Sequence, residues 1–156
     1  MKITDILDAD SIVEGLTSRD KKGVLEELVA VLDAHGRLAD KEKSLQVLLE
    51  RERLGSTGIG DGIAIPHGKL KGMHGIICSF GRSQEGIDFQ SIDEKPCYLF
   101  FLLLAPEESA GEHLKALARL SRILKDVHFR KRLIEAATKE DIYRLIVEED
   151  ERYELP

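Results

Sequence analysis

The chain has 156 residues, 42% hydrophobic and 33% charged, which excludes a disordered polymer and gives enough length for one domain with its own core. A net charge of −6 argues against a general nucleic-acid binder, which needs a basic face, although a local basic patch is still allowed. The two cysteines, Cys78 and Cys97, have no CxxC spacing, so they fit neither a disulfide framework nor a zinc ribbon and point to a reducing cytoplasm.

The chain opens on Met1, Lys2 and Ile3, and Asp5 arrives before any apolar segment of signal-peptide length can form. Residues 3–7 suit a short helical turn and 12–16 a strand. Ser18 or Asp20 is placed to cap a helix that carries Val24, Leu25, Leu28, Val29 and Leu32 on one stripe, with Gly36 ending it. Asp40 caps a second helix with Leu45, Val47, Leu48 and Leu54 as its apolar positions, stopped by Gly55. The short connection makes these two helices neighbours. Residues 63–65 read as a strand that stops at Pro66, so that His67 and Gly68 stand at its end.

Residues 75–82 form a further strand, and 84–89 a turn with a short extended segment. Residues 96–105 are apolar on both alternations, as in a central strand buried on both faces, and Pro106 closes it. The apolar run 98–105 is far short of the ~20 residues needed to cross a bilayer, so no direct membrane insertion is expected. Ser109 and Glu112 have capping-box spacing before a helix carrying Leu114, Leu117, Leu120, Ile123 and Leu124. Another helix runs from about 127 to 137. Thr138 caps the last one, with Ile142, Leu145 and Ile146, and 148–156 reads as an acidic, frayed tail. Helices, then strands, then helices, with no repeat and no long linker, predict a single α/β domain over 1–156, a mixed β-sheet flanked by helices.

Five histidines occur. His35 beside Gly36 is a favourable cation at a helix C-terminus, and His74 and His128 have no visible partner. His67 differs in its frame: proline before it and glycine after it present an imidazole with little bulk on either side. It is either a turn histidine or one offered to another molecule. Arg51 follows Val47 and Leu48 by one helical turn, so it is either a partner for the helix C-terminal dipole or a guanidinium aimed inward, able to fork onto a phosphate. Ser56 and Thr57 offer hydroxyls just before the glycines, and Asp61 is a candidate acceptor for a ring N–H of His67. His113 lies in the first turn of its helix, where a neutral ring or a ring facing an anion is favoured over a cation. Two histidines, an arginine, hydroxyls and a helix N-terminus together describe a site for a doubly negative phosphoryl group.

Other chemistries fail on spacing. The glycines from Gly58 miss the third position of GxGxxG, and Gly68-Lys69-Leu70 lacks both the Ser/Thr of a P-loop and its upstream glycine. No HExxH or GxSxG is present, and no cofactor or metal is implied. A histidine nucleophile that takes a phosphoryl group from another phosphoprotein remains.

The run Gly62-Ile63-Ala64-Ile65-Pro66-His67-Gly68 resembles the active-site signature of the type-2 IIA components of the bacterial phosphoenolpyruvate-dependent phosphotransferase system, the fructose/mannitol and nitrogen-regulatory group. The resemblance extends from Arg51, Glu52, Arg53 and Leu54 through Ser56, Thr57 and Gly58, across Phe100 to Pro106, and into His113-Leu114-Lys115-Ala116-Leu117. It implies a cytoplasmic phosphocarrier with a mixed sheet covered by helices. His67 would be phosphorylated by HPr or its nitrogen-branch relative, His113 would orient or stabilise the phosphoryl group, and Arg51 would face the phosphate. Downstream partners would be a IIB protein or a regulated transporter or kinase. Many sugar-uptake members are fused to IIB and IIC portions, which are absent here. The length and the segment from Ala105, Pro106, Glu107 and Glu108 to His113 are closer to the nitrogen-regulatory branch. The alternatives are a sugar-uptake IIA and a non-catalytic regulatory module of the same fold. A zinc hydrolase using His67 and His113 is a further reading.

Overall fold

The computed structural model describes residues 1–153. Short 3-10 turns at Ile3–Asp5 and Ala9–Ser11 lead into strand β1, Ile12–Val13. Helix α1, Lys21–Ala34, begins where the Asp20 carboxylate accepts from the N–H of Gly23, and it ends at Gly36, whose φ of 69° suits a residue without a Cβ. Helix α2, Lys41–Leu54, is capped in the same way by Asp40. Both caps are the predicted ones. The buried line of α2, however, is Ser44, Leu48 and Glu52, and Leu54 is 85% exposed.

Strands β2 (Gly58–Gly60) and β3 (Ile63–Ala64) form an antiparallel hairpin. Its turn residues Asp61 and Gly62 have φ of 58° and 77°, the left-handed values that a tight two-residue hairpin requires. Gly62 therefore serves the turn, and Gly58 in β2 serves a close approach, since an added Cβ there would lie 2.9 Å from Ser91 Cα. Strand β4, His67–Leu70, resumes after Ile65 and Pro66. Ile63 and Ala64 of β3 stand opposite Leu99 and Phe100, and His67 of β4 stands opposite Leu103, so one register runs through the break. His67 thus starts a strand instead of following one. Pro66 lacks a ladder donor, yet its carbonyl still accepts from the N–H of Leu103 at 2.9 Å.

Strand β5, Ile77–Ile87, is longer than the predicted 75–82 because it continues past an irregularity between Arg82 and Ile87. Strand β6, Cys97–Pro106, pairs antiparallel with β5 and parallel with β3 and β4. The order is β1-β5-β6-β3-β2, with β4 beside β6. As its two apolar alternations predict, β6 feeds two cores. Leu99, Phe101 and Leu103 face one, and Phe100, Leu102 and Leu104 the other. Helices α1 and α2 close the second core. Helices α3 (Ala110–Ile123), α4 (Val127–Glu135) and α5 (Lys139–Arg152) close the first.

The predicted capping box at Ser109 does not form: its hydroxyl donates to the Pro106 carbonyl at 2.9 Å and makes no cap bond. Asp126 does cap α4, accepting from the N–H groups of His128 and Phe129, and Thr138 caps α5. The acidic tail is corrected over 148–152, which are the last turns of α5. Glu149 and Asp150 are buried there, and Asp150 accepts from the N–H of Ile3 at 2.7 Å and from Arg119 at 2.5 Å. Residues 154–156 of that expected tail lie outside the described residues. Among the described residues no helix is long and apolar enough to cross a membrane.

Candidate active site

The edge strand β4 carries alternate side chains to opposite faces. Gly68 faces α2, where an added Cβ would lie 2.6 Å from Val47 Cγ1, so glycine is what lets helix and strand touch. His67 therefore faces the other layer, that of α3. Its ring meets the His113 ring edge to face, with centroids 5.3 Å apart at 72°. Past the sheet edge α2 and α3 approach across an open cavity of about 710 Å³. Val47, Arg51 and Leu54 line it from α2, His67 and Lys69 from β4, and His113 and Leu114 from α3.

His67 is half-buried, and its Nδ1–H donates to the Ile65 carbonyl at 2.8 Å. A carbonyl can only accept, so this bond fixes the tautomer and leaves the lone pair on Nε2. Burial holds the His67 pKa below the ordinary imidazole value, and Arg51 and Lys69 press the same way against the Ile65 carbonyl and Glu52. His113 is 5% exposed, and its Nε2 has no hydrogen-bond partner among the described residues. Burial first, then His67 and Lys69, push its pKa down to about 4. Both rings are thus neutral near pH 7, as a nucleophile and a neutral hydrogen-bonding neighbour should be.

Arg51 Nη1 donates to the Gly55 carbonyl at 2.9 Å, closing the end of α2. That leaves most of its five N–H donors uncommitted. Among the described residues neither Arg51 nor Lys69 forms an ion pair; Glu50 also lines the cavity from α2, and its carboxylate accepts from the amide of Gln46 at 3.1 Å. Lys69 was missed in the sequence. It stands two residues after His67 on a strand, and that period-two relation was hidden while residue 67 was taken for a strand end.

The other predicted residues have structural posts. The Ser56 hydroxyl donates to the Phe89 carbonyl at 2.6 Å, and the Thr57 hydroxyl donates to Glu52. Asp61 does not set the His67 tautomer. It occupies the hairpin turn, its N–H donates to Asp93 at 3.1 Å, and the carbonyl of Ile65 takes the ring proton. Pro66 interrupts the edge strand just before His67, and Gly68 admits α2 on the opposite face of that strand.

The cavity joins a neutral imidazole, a second imidazole with an unsatisfied nitrogen, and two cations, which suits transient attachment of a phosphoryl group. A zinc centre needs at least a third protein ligand. No group of three or more His, Cys, Asp or Glu side chains placed to hold a metal occurs among the described residues.

Comparisons with known proteins show the family of the chain. A family model described as "Phosphoenolpyruvate-dependent sugar phosphotransferase system, EIIA 2" matches residues 5–149. The chain is 42% identical to a nitrogen regulatory protein of Bradyrhizobium diazoefficiens, over 94% of the chain and 95% of that protein. It is 41% identical to the fructose-specific EIIABC component of Bacillus subtilis, over 96% of the chain but only 24% of that much longer protein. Among solved structures, the nitrogen regulatory protein IIA-Ntr of Neisseria meningitidis superposes with a TM-score of 0.85 at 34% identity, covering 92% of this chain and 98% of that one.

Proposed function

The chain belongs to the EIIA type-2 family of the phosphoenolpyruvate-dependent sugar phosphotransferase system, and from that premise we propose that His67 Nε2 is the atom that carries the phosphoryl group. As a IIA phosphocarrier the protein accepts phosphate from one protein and passes it to another. The observation that carries the atomic assignment is the hydrogen bond from His67 Nδ1–H to the Ile65 carbonyl, which leaves Nε2 as the nucleophile at the cavity.

In the proposed step, the Nε2 lone pair of His67 attacks phosphorus of a phosphohistidine on an HPr-like donor. One N–P bond forms as the donor's N–P bond breaks, and the donor ring keeps that electron pair. The bond types are alike, so transfer is readily reversible. The transition state is loose, so stabilisation comes from position and charge. Arg51 and Lys69 supply positive charge. The unsatisfied Nε2 of His113 faces partner loss unless something enters the cavity, and a phosphoryl oxygen with a shared proton meets that need.

We infer a nitrogen-regulatory, cytoplasmic role, supported by the near end-to-end match to nitrogen regulatory proteins. The phosphoryl group adds a charge of about −1.5 to −2, enough to alter which partner the surface accepts. Delivery to a sugar-specific IIB protein is the second reading, favoured by the likeness to the fructose component.

The test is incubation with phosphoenolpyruvate, enzyme I and an HPr-type carrier, followed by mass mapping of an acid-labile adduct. Label on His67 that is lost in His67→Ala is expected. No label, or label that survives this substitution, overturns the assignment.

A further inference from the structure

The last turn of a helix is where backbone order is weakest, because its final carbonyls have no intrahelical donor. Arg51 sits in that turn of α2, and its long side chain has to reach the cavity in one arrangement. What restrains the turn is buried. The carboxylate of the next residue, Glu52, is only 3% exposed, although nothing apolar recommends it for burial. It accepts from the N–H of Thr57 at 3.2 Å, from the Thr57 hydroxyl, and from the ammonium of Lys21 at 2.9 Å. Lys21, the first residue of α1, also lies 4.7 Å over the Phe89 ring, and Ser56 is tied to the carbonyl of that same Phe89.

Consecutive helical residues point about 100° apart, so Arg51 and Glu52 leave the helix in different directions. Arg51 goes to the cavity and Glu52 to the interior. A buried charge pair is a weak source of stability but a sharp geometric restraint, because either charge alone in that place is costly. Here the restraint fixes the start of α1, the end of α2 and the entry to β2 to one carboxylate, one residue from the guanidinium.

We propose that the Lys21–Glu52–Thr57 cluster is the positioning group for Arg51, holding its guanidinium against the phosphoryl group on His67. This rests on the phosphocarrier reading above. Glu52 itself need not touch the phosphoryl group; it acts through Arg51. The cost of misplacing a transition-state contact by about 1 Å can reach 100-fold, so the cluster carries a kinetic role that its stability contribution does not reveal.

The experiment is a double-mutant cycle on the rate of phosphoryl transfer to the full chain. Glu52→Gln keeps the shape and an acceptor for Thr57 but removes the charge that holds Lys21. It is expected to slow transfer about tenfold in the wild-type background and less than about twofold when Arg51 is already alanine. Lys21→Met combined with Glu52→Gln removes both charges and is expected to recover part of the rate. If Glu52→Gln folds poorly, Lys21→Met alone, at a partly exposed position, is measured in the same two backgrounds. Equal losses with and without Arg51, or a wild-type rate in both Glu52→Gln and Lys21→Met, overturn the positioning role while leaving His67 as acceptor. Failure of the unmutated chain to take label overturns the phosphocarrier reading and this proposal together.

Discussion

His67 and His113 meet edge to face with ring centroids 5.3 Å apart, one brought by an edge strand and the other by the first turn of α3. Among the described residues Nε2 of His113 has no hydrogen-bond partner, while Nε2 of His67 holds a lone pair. Removing His113 should therefore cost the reaction more than the fold. His113→Ala is expected to slow phosphoryl transfer about 100-fold, the scale of one lost transition-state donor, with the thermal midpoint little changed. Stopped-flow transfer and calorimetry on the same sample check this, and unchanged rates would remove His113 from the machinery.

Arg51 offers a planar fork, whereas lysine offers a point charge. Arg51→Lys is expected to slow transfer about tenfold and Arg51→Ala further, both with native circular dichroism. A lysine variant with the wild-type rate would mean that charge alone suffices.

Both ring pKa values lie below the ordinary ~6.5, that of His113 at about 4. The neutral nucleophile should thus persist as pH falls through 6.5, and the acid limb of the transfer rate should lie below that value. Stability runs the same way. The folded pKa of His113 is depressed, so its unfolded form binds the extra proton first, and stability is lost as pH falls from about 6.5 toward 4. A pH–rate profile with its acid midpoint at or above 6.5 would contradict this burial effect.

Glu149 titrates with the opposite sign. Burial, then its contact with the Asp126 carboxyl, raise its pKa from 4.5 to about 7, with Arg152 opposing. The folded state holds the proton more tightly than the unfolded one, so this group's contribution is present below about 4.5 and lost as pH rises through 7. Glu149→Gln keeps the hydrogen-bonding shape without the titration. It should raise the melting temperature at pH 8 relative to the parent and leave it nearly unchanged below about pH 4. The same difference at both pH values would assign the effect to packing.

Gly68→Ala puts a methyl group 2.6 Å from Val47 Cγ1. Overpacking of this kind costs about 1–3 kcal/mol, and a compensating Val47→Ala should return most of it. Urea denaturation of the single and double variants provides the measurement. No recovery in the double variant would show that the backbone at Gly68, rather than its room, is what matters.

Much of the fold could be read locally. Asp20 with Gly36 and Asp40 with Gly55 bracket their helices through caps that act within a few residues, and the two apolar alternations of β6 announce a strand between two layers. His67, Arg51 and His113, which line one cavity, each sit in a distinctive sequence frame. What escaped depends on distant partners. The burial of Asp150 needs Ile3 and Arg119, and the burial of Glu52 needs Lys21. That β4 begins at His67 is decided by pairing with β6, which propensity around Pro66 does not contain. Ser109 had capping-box spacing, yet the carbonyl of Pro106 drew its hydroxyl away. Asp61 looked available because turn geometry at that residue and the competing Ile65 carbonyl are both three-dimensional facts.

Helix α2 is packed into one core and α3 into the other, with only the edge strand between them at the cavity. The spacing between Arg51 and His113 is therefore a gauge of how the two layers are aligned. A small slip of one layer along the other can ruin that alignment while each keeps its own hydrophobic contacts. On warming, phosphoryl transfer should thus fade several degrees before the cores melt, as a precision instrument loses calibration before it breaks.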